Sequence, residues 1–181
     1  MAEPALRRMT IQEFLEWDDG GNERQELIGG CVVAMAPPMP GHGLLASALA
    51  GEIRSALRGR APCRVYSEAG VALPHRNDAC YVPDLVVSCQ PLRPDNRLIR
   101  EPVLIVEILS PTTAATDRQV KVPDYRRIAS VQEILLIDAE SLFAEVHRRD
   151  GDRWVTELIV GGEAMITLAS IPASLLMAES L

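Results

Sequence analysis

Asp84, Glu107 and Lys121 are the residues of this chain whose types and spacing could do chemistry. Glu107 lies in Val103-Leu104-Ile105-Val106-Glu107-Ile108-Leu109, an acid among six apolar residues that are mostly β-branched. Such a run reads as a strand buried on both faces. An ionised carboxylate there costs several kcal/mol unless it is paired, metal-bound or protonated. The plain alternative is a strand-end acid that reaches solvent or an arginine. Asp84 lies in Val82-Pro83-Asp84-Leu85-Val86-Val87, where Pro83 cannot donate to a sheet and so marks a strand start or an edge. If the two runs pair, their acids face each other with Cβ atoms about 4.5–5.5 Å apart. Carboxylates that close repel unless a cation lies between them. Oxygen ligands with room left for water and phosphate suit Mg²⁺ or Mn²⁺.

Asp117-x-x-x-Lys121-x-x-x-Tyr125 follows, with a spacing of four that puts all three on one helical face. An exposed Asp117–Lys121 pair would contribute only a few tenths of a kcal/mol. Composition points further: the chain has 18 Lys and Arg, and Lys121 alone among them is a lysine. Lysine is a compact, tunable point charge, whereas arginine is a broad fork that stays protonated. Pro123 disturbs a helix here, which must kink or restart with Pro123 in its first turn.

These motifs resemble a large bacterial family whose members are labelled "putative restriction endonucleases", a branch of the PD-(D/E)XK nuclease superfamily. The likeness rests on Pro83-Asp84, on Val106-Glu107-Ile108-Leu109-Ser110-Pro111, and on Asp117, Lys121 and Tyr125. It extends to Met9-Thr10, Glu13-Phe14, Glu26-Leu27-Ile28 with Gly30, and His42-Gly43, and on into the C-terminal strands. In that family the lysine has moved from the strand to the following helix; here Leu109 holds the strand position and Lys121 the helical one. The chain departs from the family at Gln25, Gly29 and Cys31. The resemblance implies an α/β, restriction-endonuclease-like fold: a central mixed β-sheet flanked by helices, with an added antiparallel C-terminal meander. It implies hydrolysis of DNA phosphodiesters, with Asp84 and Glu107 holding Mg²⁺ or Mn²⁺. Lys121 then orients water or stabilises developing charge, and Glu26 is an outer metal ligand. Tyr125 supports or packs the site, Asp117 pairs with Lys121, and a homodimer is implied.

Composition sets limits on this reading. The 181 residues are close to the length of a single domain, and 48% are hydrophobic but only 4% aromatic, so an aliphatic core is expected. No apolar run is long enough to span a membrane, and no signal peptide is seen. Cys31, Cys63, Cys80 and Cys89 include no CxxC pair, which suggests thiols in a reducing cytoplasm and no structural zinc. The net charge of −7 disfavours non-specific DNA binding, which phosphate neutralisation drives. Local patches at Arg54, Arg58, Arg60 and Arg64, at Arg93, Arg97 and Arg100, and at Arg126 and Arg127 could compensate, or simply be solvated.

Along the chain, 1–9 reads as a loose end, and Thr10 with Glu13 as a capping box opening a helix to about Asp18. A loop at 18–22 precedes a strand pair or bent strand at 26–35. A helix at 41–58 carries the stripe Leu45, Leu49, Ile53 and Leu57, and His42 opens it as a cap, a turn residue or a phosphate or metal contact. A strand is expected over 63–73, and a core strand over 131–137. Asp150-Gly151 marks a hairpin between 142–148 and 154–160. A strand at 165–168 and a helical tail from Pro172 close the chain. The rival reading is a non-catalytic binding or assembly protein on the nuclease fold. A weaker third is hydrolysis of another phosphoester.

Overall fold

A computed structural model describes residues 8–177 apart from 19, 22 and 139, so the expected loose end at 1–9 and loop at 18–22 lie partly outside the described residues. Thr10 caps α1 (Ile11–Glu16) with both halves of a capping box, and the helix ends two residues before the expected end, with extended backbone at Trp17. β1 (Gln25–Ile28) and β2 (Cys31–Ala34) form an antiparallel hairpin, not a bent strand. Its two-residue loop, Gly29-Gly30, has φ of +58° and +81°. A turn with both central residues in the left-handed region favours glycine at each. α2 (Pro40–Ala56) starts on a proline whose missing N–H costs nothing there, and it buries Leu45, Leu49 and Ile53 as the stripe predicted.

The expected strand over 63–73 is in fact two. β3 (Arg64–Ser67) ends where Glu68 takes a left-handed φ of +53°, and β4 (Val71–Ala72) joins a different sheet. β5 (Cys80–Tyr81), β6 (Leu85–Ser88) and β7 (Pro102–Ile108) follow. Next come α3 (Ala114–Thr116), a π-turn over Asp117–Lys121, and α4 (Val122–Arg126). β8 (Glu133–Asp138), β9 (Phe143–Asp150) and β10 (Arg153–Val160) complete the larger sheet. β11 (Met165–Leu168) and β12 (Ala173–Leu176) pair separately. The helical tail expected from Pro172 is therefore a strand: Ala173, Leu175 and Met177 are buried while Ser174 is exposed, a period of two.

The six-stranded sheet runs β10-β9-β8-β7-β6-β3, and only β7 and β8 are parallel. A four-stranded sheet, β2-β1-β5-β4, stands beside it. Alternation along β7 divides the core. Leu104, Val106 and Ile108 join the α2 stripe and the β11–β12 hairpin on one face. Ile105 and Leu109 pack on the other with Val122, Tyr125 and Ile128. Glu107 has the parity of the second group, which directs it to the side of the π-turn and α4. Glu133, buried in β8, accepts hydrogen bonds from Arg148 Nε at 3.0 Å and from the Ala169 and Ser170 N–H groups at 2.9 and 2.6 Å, tying the last hairpin to the sheet.

The cysteine expectation is corrected. Cys63 and Cys89 form a disulfide, one residue beyond the Arg64–Ser88 pair of β3 and β6, while Cys31 and Cys80 are free. Their sequence separation of 26 hid a contact that strand register creates. The thiol argument for a reducing compartment falls with it.

Candidate active site

The antiparallel register of β6 on β7 pairs Leu85 with Val106, so one step further sets Asp84 opposite Glu107. Asp84 Oδ2 accepts the Ile108 N–H at 2.7 Å, which locks it to the β7 end, and Oδ1 lies 3.3 Å from His42 Nε2. That hydrogen bond to Asp84 raises the His42 pKa against the opposing effect of burial. Pro40 places His42 in the first turn of α2, so the residue that opens the helix reaches the site.

Lys121 is at the centre. Its Nζ lies 3.0 Å from Glu26 Oε1, 3.3 Å from Glu107 Oε1 and 3.2 Å from Asp117 Oδ1. Tyr125 donates to Glu107 Oε1 at 2.7 Å, and Glu26 Oε1 accepts the Val82 N–H at 2.7 Å. The strand β1 thereby delivers Glu26 to the same point as the helical lysine. Pro123 and the π-turn explain each other. With no N–H at Pro123, the ladder loses a bond at that position, and the turn widens so that the Val122 N–H reaches the Asp117 carbonyl. A new helix then starts with Pro123 in its first turn. Asp117, Lys121 and Tyr125 still face one way.

Glu26, Asp84, Glu107, Asp117 and Lys121 are only 4, 9, 3, 2 and 4% exposed. Burial pushes the Glu107 carboxyl up to about 8; Lys121 opposes this, and Asp117, Asp84 and Glu26 reinforce it. Burial alone would lower the Lys121 ammonium, yet Glu107, Glu26 and Asp117 outweigh it and hold the lysine charged. Burial and Glu107 together raise the Tyr125 phenol well above its ordinary range. The arrangement sets four carboxyl groups against one ammonium in a place of low dielectric, and without a cation a proton on Glu107 relieves part of the negative charge.

Every residue singled out from the sequence is brought together here: Asp84, Glu107, Lys121, Glu26, Asp117, Tyr125 and His42. The arginine patches are not. Arg24 is the arginine that lines the cavity among the described residues, and Arg126 instead bonds His147 at 2.9 Å and covers Trp154. Sequence reasoning missed the network on the outer side of α4. There Asp124 accepts from Tyr81 Oη at 2.7 Å and Arg76 Nη1 at 3.0 Å, and its Oδ1 lies 3.1 Å from His75 Nε2. This network pins the lysine-bearing segment to β5. Its only sequence signal was an Asp directly before Tyr125.

A cavity of about 600 Å³ opens above the carboxylates. Segment 33–39, which includes Met35, Pro37, Pro38 and Met39, lines it, as do Ser110, Pro111, Thr112 and Thr113.

Residues 11–178 match the Uma2 family, described as "Putative restriction endonuclease". The chain belongs to this family. The chain is also similar to two uncharacterized proteins of Synechocystis. One, slr1290, is 28% identical over 82% of this chain and 78% of its own length; the other, sll1609, is 27% identical over 87% and 91%. The fold is similar to the crystal structure of a "putative nuclease belonging to DUF820" from Anabaena variabilis, with a TM-score of 0.78, 21% identity, and 95% and 97% of the two chains covered. The restriction-endonuclease-like reading of the sequence is thus correct, and it spans both the meander and the N-terminal pieces.

Asp84 and Glu107 suit a hard divalent cation. Among the described residues no three of His, Cys, Asp and Glu converge on one metal position. Mg²⁺ commonly takes one or two protein carboxylates and completes its shell with water and phosphate, so two opposed acids suffice. The ion pair and hydrogen bonds made by Glu107 all fall on Oε1, and both acids line the cavity.

Proposed function

We propose that this protein is a metal-dependent endonuclease that hydrolyses DNA phosphodiester bonds, built as one domain over 1–181. The observation that carries the proposal is the placing of Lys121 Nζ within 3.3 Å of Glu26, Glu107 and Asp117, on the floor of a cavity that Asp84 shares. Asp84 and Glu107 would hold Mg²⁺ or Mn²⁺, with Glu26 as an outer ligand. Such an ion supplies, when bound, a more acidic water and neutralisation of phosphate charge. Lys121 presents a fixed positive charge to the phosphate oxygens, worth most where water is excluded. Glu26 and Asp117 keep the ammonium charged and aimed. Tyr125 holds Glu107 in its rotamer, and His42 does the same for Asp84.

The test uses negatively supercoiled plasmid DNA, which unpairs locally, and single-stranded DNA, each with Mg²⁺, Mn²⁺ or EDTA, and calorimetric titration with Mn²⁺. Wild type is expected to nick the plasmid with either metal and to bind Mn²⁺; Asp84→Ala and Glu107→Ala are expected to do neither. Metal binding without cleavage under any condition would favour the rival, a binding protein on this fold. Preference for mononucleotide esters over DNA would favour the third reading.

We also propose a homodimer. Among the described residues, no helix is long and apolar enough to cross a membrane. β10 is the last strand of its sheet and exposes Val155, Leu158 and Val160. A long apolar edge strand is a template for pairing with another chain. Light scattering should give twice the chain mass, and Leu158→Lys should halve it; a monomer mass at high concentration for wild type removes the dimer.

A further inference from the structure

We infer that the DNA strand delivered to Lys121 is unpaired, so that the substrate is single-stranded DNA or a strand released from its complement. This rests on the nuclease reading above and adds the form of the substrate. The first reason is depth. The five charged residues of the floor are 9% exposed at most, in a cavity that 33–39 and 110–113 also line. A cavity of about 600 Å³ is the size of a site for one small-molecule ligand. A phosphate in a duplex is carried on a stiff rod beside a second strand, which hinders its approach to a floor this deeply buried. A strand without a partner can bend its backbone to the floor.

The second reason is charge. Duplex binding draws its affinity from free Lys and Arg that neutralise several phosphates. The cavity offers Arg24, already ion-paired with Glu68, and Lys121, already held by three carboxylates. What the walls offer is apolar surface and hydroxyls. Met39 is 76% exposed at the cavity wall, next to Pro37 and Pro38. Methionine sulfur makes favourable contacts with aromatic rings, and an unpaired base brings an exposed ring face. Elsewhere in the lining, Ser110 Oγ lies 3.1 Å from Thr112 Oγ1 and 3.0 Å from Thr113 Oγ1, a hydroxyl cluster suited to sugar or phosphate oxygens.

The test is anisotropy of a short labelled oligonucleotide, single-stranded or folded into a blunt hairpin duplex, with Ca²⁺ in place of Mg²⁺ to hold it uncut. The single strand is expected to bind at least about tenfold more tightly than the duplex, and Met39→Glu to weaken it about tenfold, through the lost sulfur–ring contact and the added negative charge. The melting temperature of that variant should match wild type, since Met39 is exposed. Equal affinity for both forms, or unchanged binding by Met39→Glu, overturns the inference. Cleavage with Mn²⁺ then separates the two claims. Tight single-strand binding without cutting sinks the nuclease reading and leaves the inference; equal cutting of both forms does the reverse.

Discussion

Lys121→Met is expected to abolish DNA cleavage and to destabilise the metal-free protein by about 3–5 kcal/mol, the range for breaking a buried ion pair by removing one partner. An exposed helical pair would have cost far less. Burial changes the outcome, because Lys121 is 4% exposed and three carboxylates depend on it. Lys121→Arg offers no refuge, since a planar fork cannot replace a point charge within 3.3 Å of three oxygens. The stability loss alone would be ambiguous, so two further measurements accompany it. Mn²⁺ should restore much of the lost melting temperature in Lys121→Met, because a cation can take up the negative charge. The double variant Lys121→Met, Glu26→Gln should regain stability without regaining cleavage. Loss of a placed electrostatic donor typically lowers the rate by ~10²–10³. A Lys121→Met protein that nicks plasmid at the wild-type rate would end the catalytic assignment.

The second large effect is on pH dependence. Glu107 in the folded protein is pushed from 4.5 up to about 8, chiefly by burial. Between those values the folded state holds a proton that the unfolded state has released, so metal-free stability falls as pH rises through the window. The slope for one proton approaches about 1.4 kcal/mol per pH unit. A divalent cation between Glu107 and Asp84 favours the ionised form and should flatten the fall. Glu107→Gln should abolish it, and cleavage with it. His147 supplies a control of opposite sign. Burial, then Arg126, lowers it from 6.5 to about 4, so its contribution is lost as pH falls through that range. That acid-side loss should survive in Glu107→Gln. Urea midpoints measured across both windows, with EDTA or Mn²⁺, test this; a flat metal-free profile in wild type between pH 4.5 and 8 would remove the account of Glu107.

The α2 stripe, the capping box at Thr10 and the β9–β10 hairpin were all legible, because each is set by neighbours within a few residues. The apolar run around Glu107 was legible for a related reason: an acid in a β-branched strand violates its local pattern, and such violations concentrate at functional sites. The misreadings have a common cause. Glu68 interrupts the strand expected over 63–73 with a single left-handed residue, which no periodicity displays. The tail from Pro172 is too short for its period to be told from a helix without β11 beside it. At Pro123 the helix restarts, one of the two outcomes expected there, and only the π-turn that precedes it had no signal in the sequence.

Local order along the chain marked the residues that meet at the candidate site: the acids on their two apolar runs, the solitary lysine, and the spacing of four that links Asp117, Lys121 and Tyr125. Only tertiary structure decided what they become. The β6–β7 register brings Asp84 opposite Glu107, the β1 hairpin carries Glu26 across 95 residues of sequence to Lys121, and the same kind of register joins Cys63 to Cys89. The physical reason is that side-chain type is local whereas burial and charge compensation are not. A carboxylate becomes a raised, strained acid, and a lysine its shared counter-ion, only when strands distant in sequence close around them and exclude water.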